Sequence, residues 1–251
     1  MNTASSSNWL NKVPAVTLGF WIIKILSTTV GETAADTLAV NVGLGTLVTG
    51  LGMSALLLLA LVMQMRRQRY IPWIYWLTVV LISIVGTQIT DALTDGLEVS
   101  LYVSTAVFAV ALAAVFLVWH RLEGTLSIKA IDSPRREAFY WLAILFTFAL
   151  GTAAGDLATE ALGLGFQWGV VVFGALIAID LVAWRRGLPP VLAFWIAYVL
   201  TRPLGASLGD LLSQSSTYGG LGWGPLSTSL AFMAVIVGLV AEAQRRITLS
   251  R

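Results

Sequence analysis

The chain contains no cysteine and one histidine, His120, in its 251 residues. Disulfides and thiolate metal sites are therefore excluded. His120 stands beside Arg121 at the end of an apolar run, a position that favours an interfacial side chain over a ligand or a base. The Gly-x-Gly-Asp motif of intramembrane aspartyl proteases and the His-Glu-x-x-His motif of zinc proteases do not occur. The sequence therefore predicts neither an enzyme nor a bound cofactor.

Charged residues are also scarce, at 11% of the chain, whereas about a quarter of the residues of a soluble domain are charged. Hydrophobic residues make up 57% and the mean hydropathy is +0.84. A helix of about 20 apolar residues crosses a bilayer, and eight runs approach that length. We therefore expect one all-α, polytopic membrane domain over residues 1–251, with the lipid bilayer as its main partner. The runs lie at approximately 13–38, 42–65, 71–95, 99–119, 138–161, 167–184, 189–213 and 224–243.

One motif occurs four times: a tryptophan, a glycine ten residues later and an aspartate five residues after that. Successive aspartates are 55, 65 and 54 residues apart. Self-similarity of this kind indicates a repeated supersecondary unit. The predicted repeats cover approximately 12–69, 70–122, 134–187 and 188–246, with a linker at 120–137 between the two halves. The motif residues are Trp21, Gly31 and Asp36; Trp76, Gly86 and Asp91; Trp141, Gly151 and Asp156; and Trp195, Gly205 and Asp210.

The positive charges are distributed unevenly. Of the 15 Lys and Arg residues, 13 lie at the chain ends or between repeats, and the short connections inside the repeats contain none. By the positive-inside rule the linkers and both termini face the cytoplasm, as in a bacterial inner-membrane protein. The 13 residues are Lys12, Arg66, Arg67, Arg69, Arg121, Lys129, Arg135, Arg136, Arg185, Arg186, Arg245, Arg246 and Arg251.

Each repeat is predicted to be a helical hairpin, and an even number of helices orients all four repeats the same way. Parallel repeats are related by an axis along the membrane normal, here a pseudo-fourfold axis. The first helix of each repeat carries small and polar residues, which allow close packing, so we place it inside a ring of apolar second helices. Several tryptophans near basic residues are expected in the interfacial aromatic belt: Trp73, Trp76, Trp119, Trp141, Trp184 and Trp195.

Four tandem two-helix units that share a tryptophan resemble a bacterial membrane family described as a repeat of unknown function and as a predicted membrane-anchored protein. The resemblance covers roughly residues 12–246 and implies the topology and a bacterial origin. It brings no catalytic assignment, so the function has to be inferred from the residues.

Carboxylates within apolar helices indicate a functional site. The four motif aspartates lie about 22 Å along the helix from their tryptophans, at about 1.5 Å per residue. Three of them have a second acid four residues away, which places both on one helix face, and the fourth has Gln214. Lys24 and Arg202 each stand eight residues before an acid and are predicted counter-charges. The acids of the three pairs are Glu32 with Asp36, Asp91 with Asp95, and Asp156 with Glu160.

These carboxylates, with nearby hydroxyls and amides, are hard oxygen donors that suit Mg, Mn, Ca or protons. The leading hypothesis is therefore a transporter or permeation pathway for a small hard cation. One alternative is a transporter of a small organic or anionic solute that binds Lys24 and Arg202, and another is a non-transporting scaffold or sensor. The aspartates could also act only as helix caps. The sequence predicts no nucleic-acid partner and leaves the oligomeric state open.

Overall fold

The computed structural model describes residues 11–249, which form eight long helices and no strand. Each predicted apolar run coincides over most of its length with one of these helices, which confirms the all-α class. Arg251, one of the basic residues at the chain ends, lies outside the described residues. The helices are α1 (Leu18–Asp36), α2 (Gly45–Met65), α3 (Pro72–Asp91), α4 (Leu101–Glu123), α5 (Pro134–Asp156), α6 (Phe166–Arg185), α7 (Pro190–Ser213) and α8 (Pro225–Leu249).

The helix starts follow from local chemistry. Pro72, Pro134 and Pro190 occupy the first turn of α3, α5 and α7, where a proline loses no hydrogen bond. Thr17 and Ser100 cap α1 and α4, each accepting a backbone N–H from three residues further on.

Seven of the eight helices, α2 to α8, are long and apolar enough to cross a membrane. The chain is therefore a multi-pass membrane protein by helix length and composition. The remaining helix, α1, carries Lys24, Glu32 and Asp36 within its 19 residues, and these charges lower its apolar character.

The helices divide into an inner and an outer set, as the sequence predicts. In α3, α5 and α7, 61–83% of the most apolar stretch is buried, against 17% in each of α2, α4, α6 and α8. Leu58 and Leu59 on α2 and Val110 on α4 are exposed apolar residues of the outer set. Such surfaces suit contact with lipid.

The inner helices pack in a cycle, α1 on α3, α3 on α5, α5 on α7 and α7 on α1. Each outer helix packs mainly on the inner helix of the following repeat: α2 on α3, α4 on α5, α6 on α7, and α8 on α1. The compact two-helix unit is therefore shifted by one helix from the predicted hairpin. Contact between α8 and α1 joins the last repeat to the first.

The four motif glycines allow this close packing. Each one lies against the residue seven positions after the tryptophan of the next repeat, and the last lies against the first. No other residue type leaves room there, because an added Cβ would lie within 2.7 Å of the neighbouring side chain in every case. The pairs are Gly31 with Ser83, Gly86 with Phe148, Gly151 with Arg202 and Gly205 with Thr28.

The motif tryptophans define one end of the bundle, which we call the tryptophan end. Trp76, Trp141 and Trp195 are at most 4% exposed and pack in the core, and Trp119 is likewise buried. The aromatic-belt prediction is therefore wrong for these four residues. Their rings pack against other aromatic rings, as in the T-shaped contacts of Trp76 with Tyr75 and of Trp195 with Trp119.

Two further belt candidates, Trp73 and Trp184, are exposed as that prediction requires. A buried ion pair also lies at the tryptophan end, where Lys12 contacts Glu137 and donates to the carbonyl oxygen of Met65 at 3.1 Å. Lys12 therefore holds the segment before α1 against α2 and α5, a role beyond that of a cytoplasmic positive charge.

Replacement of Gly31 by alanine should destabilise the bundle by about 1–3 kcal/mol, because the new methyl group would lie 1.8 Å from Ser83 Oγ. The matched control is Gly238→Ala on α8, where a Cβ meets nothing within 4 Å. That change should be neutral or stabilising, since alanine is the better helix former. Unfolding of both variants in mixed micelles measures the difference, and equal stabilities would contradict the packing described here.

Candidate functional site

The four motif aspartates lie together at the opposite end of the bundle, which we call the aspartate end. Asp36, Asp91 and Asp156 are the last residues of α1, α3 and α5, and Asp210 lies three residues before the end of α7. The first three are half-buried and Asp210 is buried. The cyclic packing of the inner helices thus brings the four equivalent positions to one place.

The aspartates do not cap these helices. In three repeats the helix continues past the aspartate into a π-helical turn, at Thr37–Asn41, Ala92–Gly96 and Leu157–Ala161. None of the three aspartates makes a side-chain capping hydrogen bond. Single π-helical turns are frequent at functional sites, so the structure disfavours the capping interpretation.

The carboxylates form a series of increasing depth. Asp95 and Glu160 are exposed, the motif aspartates follow, and Glu32 is 7% exposed. Glu32 is close enough to Asp91 and Asp156 to act on both electrostatically, and Asp210 is within reach as well. Within residues 11–249, however, no three acidic or histidine side chains are grouped so as to hold a metal ion.

Arg202 connects this carboxylate series to three helices at once. Its Nη2 donates to Glu32 Oε2 at 2.8 Å, to Thr152 Oγ1 at 2.6 Å, and also to Thr87 Oγ1. These acceptors lie on α1, α5 and α3, and each stands eleven residues after the tryptophan of its repeat. One side chain on α7 thus bonds to all the other inner helices.

The pairing of Arg202 with its own repeat's Asp210, suggested by their spacing of eight residues, is therefore wrong as a direct contact. The guanidinium binds the acid of the first repeat, because α7 closes the cycle onto α1. Its Nε and Nη1 atoms are buried and have no hydrogen-bond partner among the described residues.

Lys24 is fully buried and makes no ion pair with a described residue. Its Nζ donates to Thr28 Oγ1 at 3.0 Å and lies 4.2 Å from the ring centroid of Phe148 and 4.5 Å from that of Tyr198. The predicted pairing of Lys24 with Glu32 is absent. Two aromatic faces take its place, and Phe148 and Tyr198 are contacts that the sequence analysis missed.

Beyond Lys24 the bundle is closed by aromatic rings. Phe20, Tyr75, Tyr140 and Tyr198 are buried there, and the hydroxyls of Tyr75 and Tyr140 hydrogen-bond to each other. Polar residues are thus concentrated in the half of the bundle at the aspartate end, and packed rings fill the tryptophan end.

The comparisons with known proteins agree with this four-unit organisation. A family model described as "Repeat of Unknown Function" (DUF347) matches residues 19–70, 74–125, 139–187 and 193–246. The chain belongs to this family. No curated protein and no solved structure matches it. The four tandem repeats predicted from the Trp-Gly-Asp spacing are therefore confirmed, and the family description attaches no activity to them.

Arg202 and Glu32 should be energetically coupled. Arg202→Gln leaves a buried carboxylate without its cation, and removal of one partner of a buried ion pair costs about 3–5 kcal/mol. The double variant Glu32→Gln/Arg202→Gln should therefore cost clearly less than the sum of the two single variants. Unfolding of the four proteins in mixed micelles tests this, and additive losses would show that the two side chains act independently.

Proposed function

We propose that the protein is a transporter of a small hard cation in the bacterial inner membrane, with binding at the aspartate end and proton exchange on the same carboxylates. In this proposal all eight helices span the membrane and the four repeats surround a pseudo-fourfold axis. The tryptophan end and both termini face the cytoplasm. The predicted binding residues are Glu32, Asp36, Asp91, Asp95, Asp156, Glu160 and Asp210.

The imbalance of charge in the inner bundle carries this proposal. Seven of the chain's 13 acidic residues belong to the site, whereas Lys24 and Arg202 are the only basic residues between the motif tryptophan and the end of an inner helix; Arg135 and Arg136 lie in the first turn of α5, before Trp141. Among the described residues only Glu32 forms an ion pair, with Arg202, and the other six carboxylates of the site form none. Ionised groups are costly in a membrane without a partner, so protons or cations from outside must neutralise them.

The depth series supports uptake from the aspartate end. An ion would meet the exposed Asp95 and Glu160 first, then the motif aspartates, and finally Glu32 beside Arg202. Partly exposed carboxylates can replace the water molecules around a cation one after another. The absence of a three-carboxylate metal group in the described range favours a proton or a singly charged cation over a tightly coordinated divalent ion.

The packed rings at the tryptophan end favour a carrier over an open channel. With Tyr75 and Tyr140 hydrogen-bonded and buried, release on that side requires the inner helices to move apart. Arg202 can link ion binding to such a movement. A cation that binds Glu32 would break the ion pair between Glu32 and Arg202, and this loss would weaken the packing of α7 on α1.

A solute with a negative group is the second candidate. Among residues 11–249, Lys24 has no carboxylate partner and two nitrogen atoms of Arg202 have no hydrogen-bond partner. Both features suit an anionic or organic substrate. In that case Lys24→Gln or Arg202→Gln would reduce uptake more than loss of the aspartates. If no solute moves and substitutions affect stability alone, the protein is a scaffold or sensor.

Flux into proteoliposomes tests the proposal. Purified protein is given Na⁺, K⁺, methylammonium, Mg²⁺, Mn²⁺ or Ca²⁺ in turn, with and without a pH gradient. The variant Asp91→Asn/Asp156→Asn should lose cation flux at least tenfold, because two half-buried carboxylates become neutral amides that bind cations poorly.

The matched control is Glu98→Gln, which removes one carboxylate at the same end of the bundle but outside the motif, where Glu98 is exposed. Its flux should equal that of the wild type. Absence of flux for every cation, or equal flux in the aspartate variant with its fold intact, would contradict the proposed function.

A further inference from the structure

The ammonium group of Lys24 lies in a small box deep in the bundle, formed by Thr28 and by the rings of Phe148 and Tyr198. All four residues are fully buried. The Nζ atom is 4.2 Å and 4.5 Å from the two ring centroids and 3.0 Å from Thr28 Oγ1. We call these three residues the ammonium box.

The box residues lie on three of the four inner helices, α1, α5 and α7. Lys24 and Tyr198 each stand three residues after the tryptophan of their repeat, and Thr28 and Phe148 each stand seven residues after it. The next position toward the aspartate end, eleven after the tryptophan, belongs to Glu32 in the first repeat. The box therefore lies between the carboxylates and the rings of Phe20, Tyr75 and Tyr140, where a cation that passes Glu32 would arrive next.

Aromatic faces recognise ammonium-type cations, and this interaction strengthens when the cation is desolvated. The hydroxyl of Tyr198 is buried and has no hydrogen-bond partner among the described residues, so it is available to a ligand that fits the box. A divalent ion such as Mg²⁺ requires about six oxygen ligands and retains water. Two rings and two hydroxyls do not provide such a shell.

Arg202 stands nearby, with its Cζ 5.7 Å from the Phe148 ring centroid, and would oppose an additional positive charge. Lys24 remains attached to α1 when its Nζ leaves the rings, so a monovalent cation adds one positive charge near Arg202 and a divalent cation adds two. The repulsion from Arg202 therefore disfavours a divalent cation more strongly. The flexible four-carbon stem of lysine permits Nζ to leave the rings.

We propose that the ammonium box is a binding site for a weakly hydrated monovalent cation, ammonium or a small alkylammonium, and that the Lys24 side chain is its resident competitor. This inference rests on the proposed cation transport and assigns it an ammonium-type cation as the substrate in place of a hard metal ion. Entry of the substrate requires the lysine ammonium to leave the two rings.

Removal of the competitor tests the inference. Lys24→Met keeps an apolar side chain of similar length and frees the box. Methylammonium binding to the purified variant in nanodiscs, measured by calorimetry, should be at least tenfold tighter than to the wild type. Mg²⁺ binding should not improve. Equal methylammonium affinity in the two proteins would overturn the proposal.

The rings supply the matched control. In the Lys24→Met protein, Phe148→Leu should lower methylammonium affinity about tenfold, while Phe173→Leu, the same change at a buried position on α6, should have no effect. If Lys24→Met does not fold, the test is methylammonium flux by the single variants Phe148→Leu and Phe173→Leu in the wild-type background, where only Phe148→Leu should reduce the flux. Equal flux of these two variants would refute a role for the box.

These results separate the inference from the function on which it rests. Divalent flux that depends on Asp91 and Asp156, without methylammonium binding in Lys24→Met, overturns the ammonium box and leaves cation transport standing. Methylammonium binding without flux of any cation retains the box as a site and overturns transport.

Discussion

The packing of the inner bundle depends on the hydrogen bonds that the buried guanidinium of Arg202 makes to the other three inner helices. Through Glu32, Thr87 and Thr152 it connects α7 to α1, α3 and α5. It fits only because Gly151 has no side chain, since a Cβ at that position would lie 2.2 Å from Arg202 Cγ. A charge in an apolar bundle is costly unless it is paired, so the position of Arg202 fixes the positions of its acceptors and hence the packing of the four helices.

The four repeats share three motif residues and differ in the residue that packs against the motif glycine. Tryptophan, glycine and aspartate recur with the same spacing, whereas the position seven after the tryptophan is Thr28, Ser83, Phe148 or Arg202. The shared residues set the distance between helices and the ring of carboxylates. The differing residues provide one cation, one aromatic face and two hydroxyls at equivalent positions of the four repeats.

Much of the fold could be predicted from the sequence, because hydrophobic runs and a fixed repeat are properties of the chain itself. The partner of Arg202 could not be predicted, because spacing along one helix suggests Asp210. Only the arrangement of the helices in space brings Glu32 to Arg202. Packing of each outer helix on the following repeat was hidden for the same reason. The burial of Trp76 and its equivalents was missed because a tryptophan near basic residues suits both the membrane interface and an aromatic core.

Carboxylates without resident counter-charges should exchange protons for cations, and this is the central claim of the account. The most direct measurement is proton release from the purified protein in weakly buffered nanodiscs when methylammonium, Na⁺ or Mg²⁺ chloride is added. The account predicts that at least one cation releases protons from the wild type, and that Asp91→Asn/Asp156→Asn releases markedly fewer. No release for any cation, or equal release from both proteins, would contradict it.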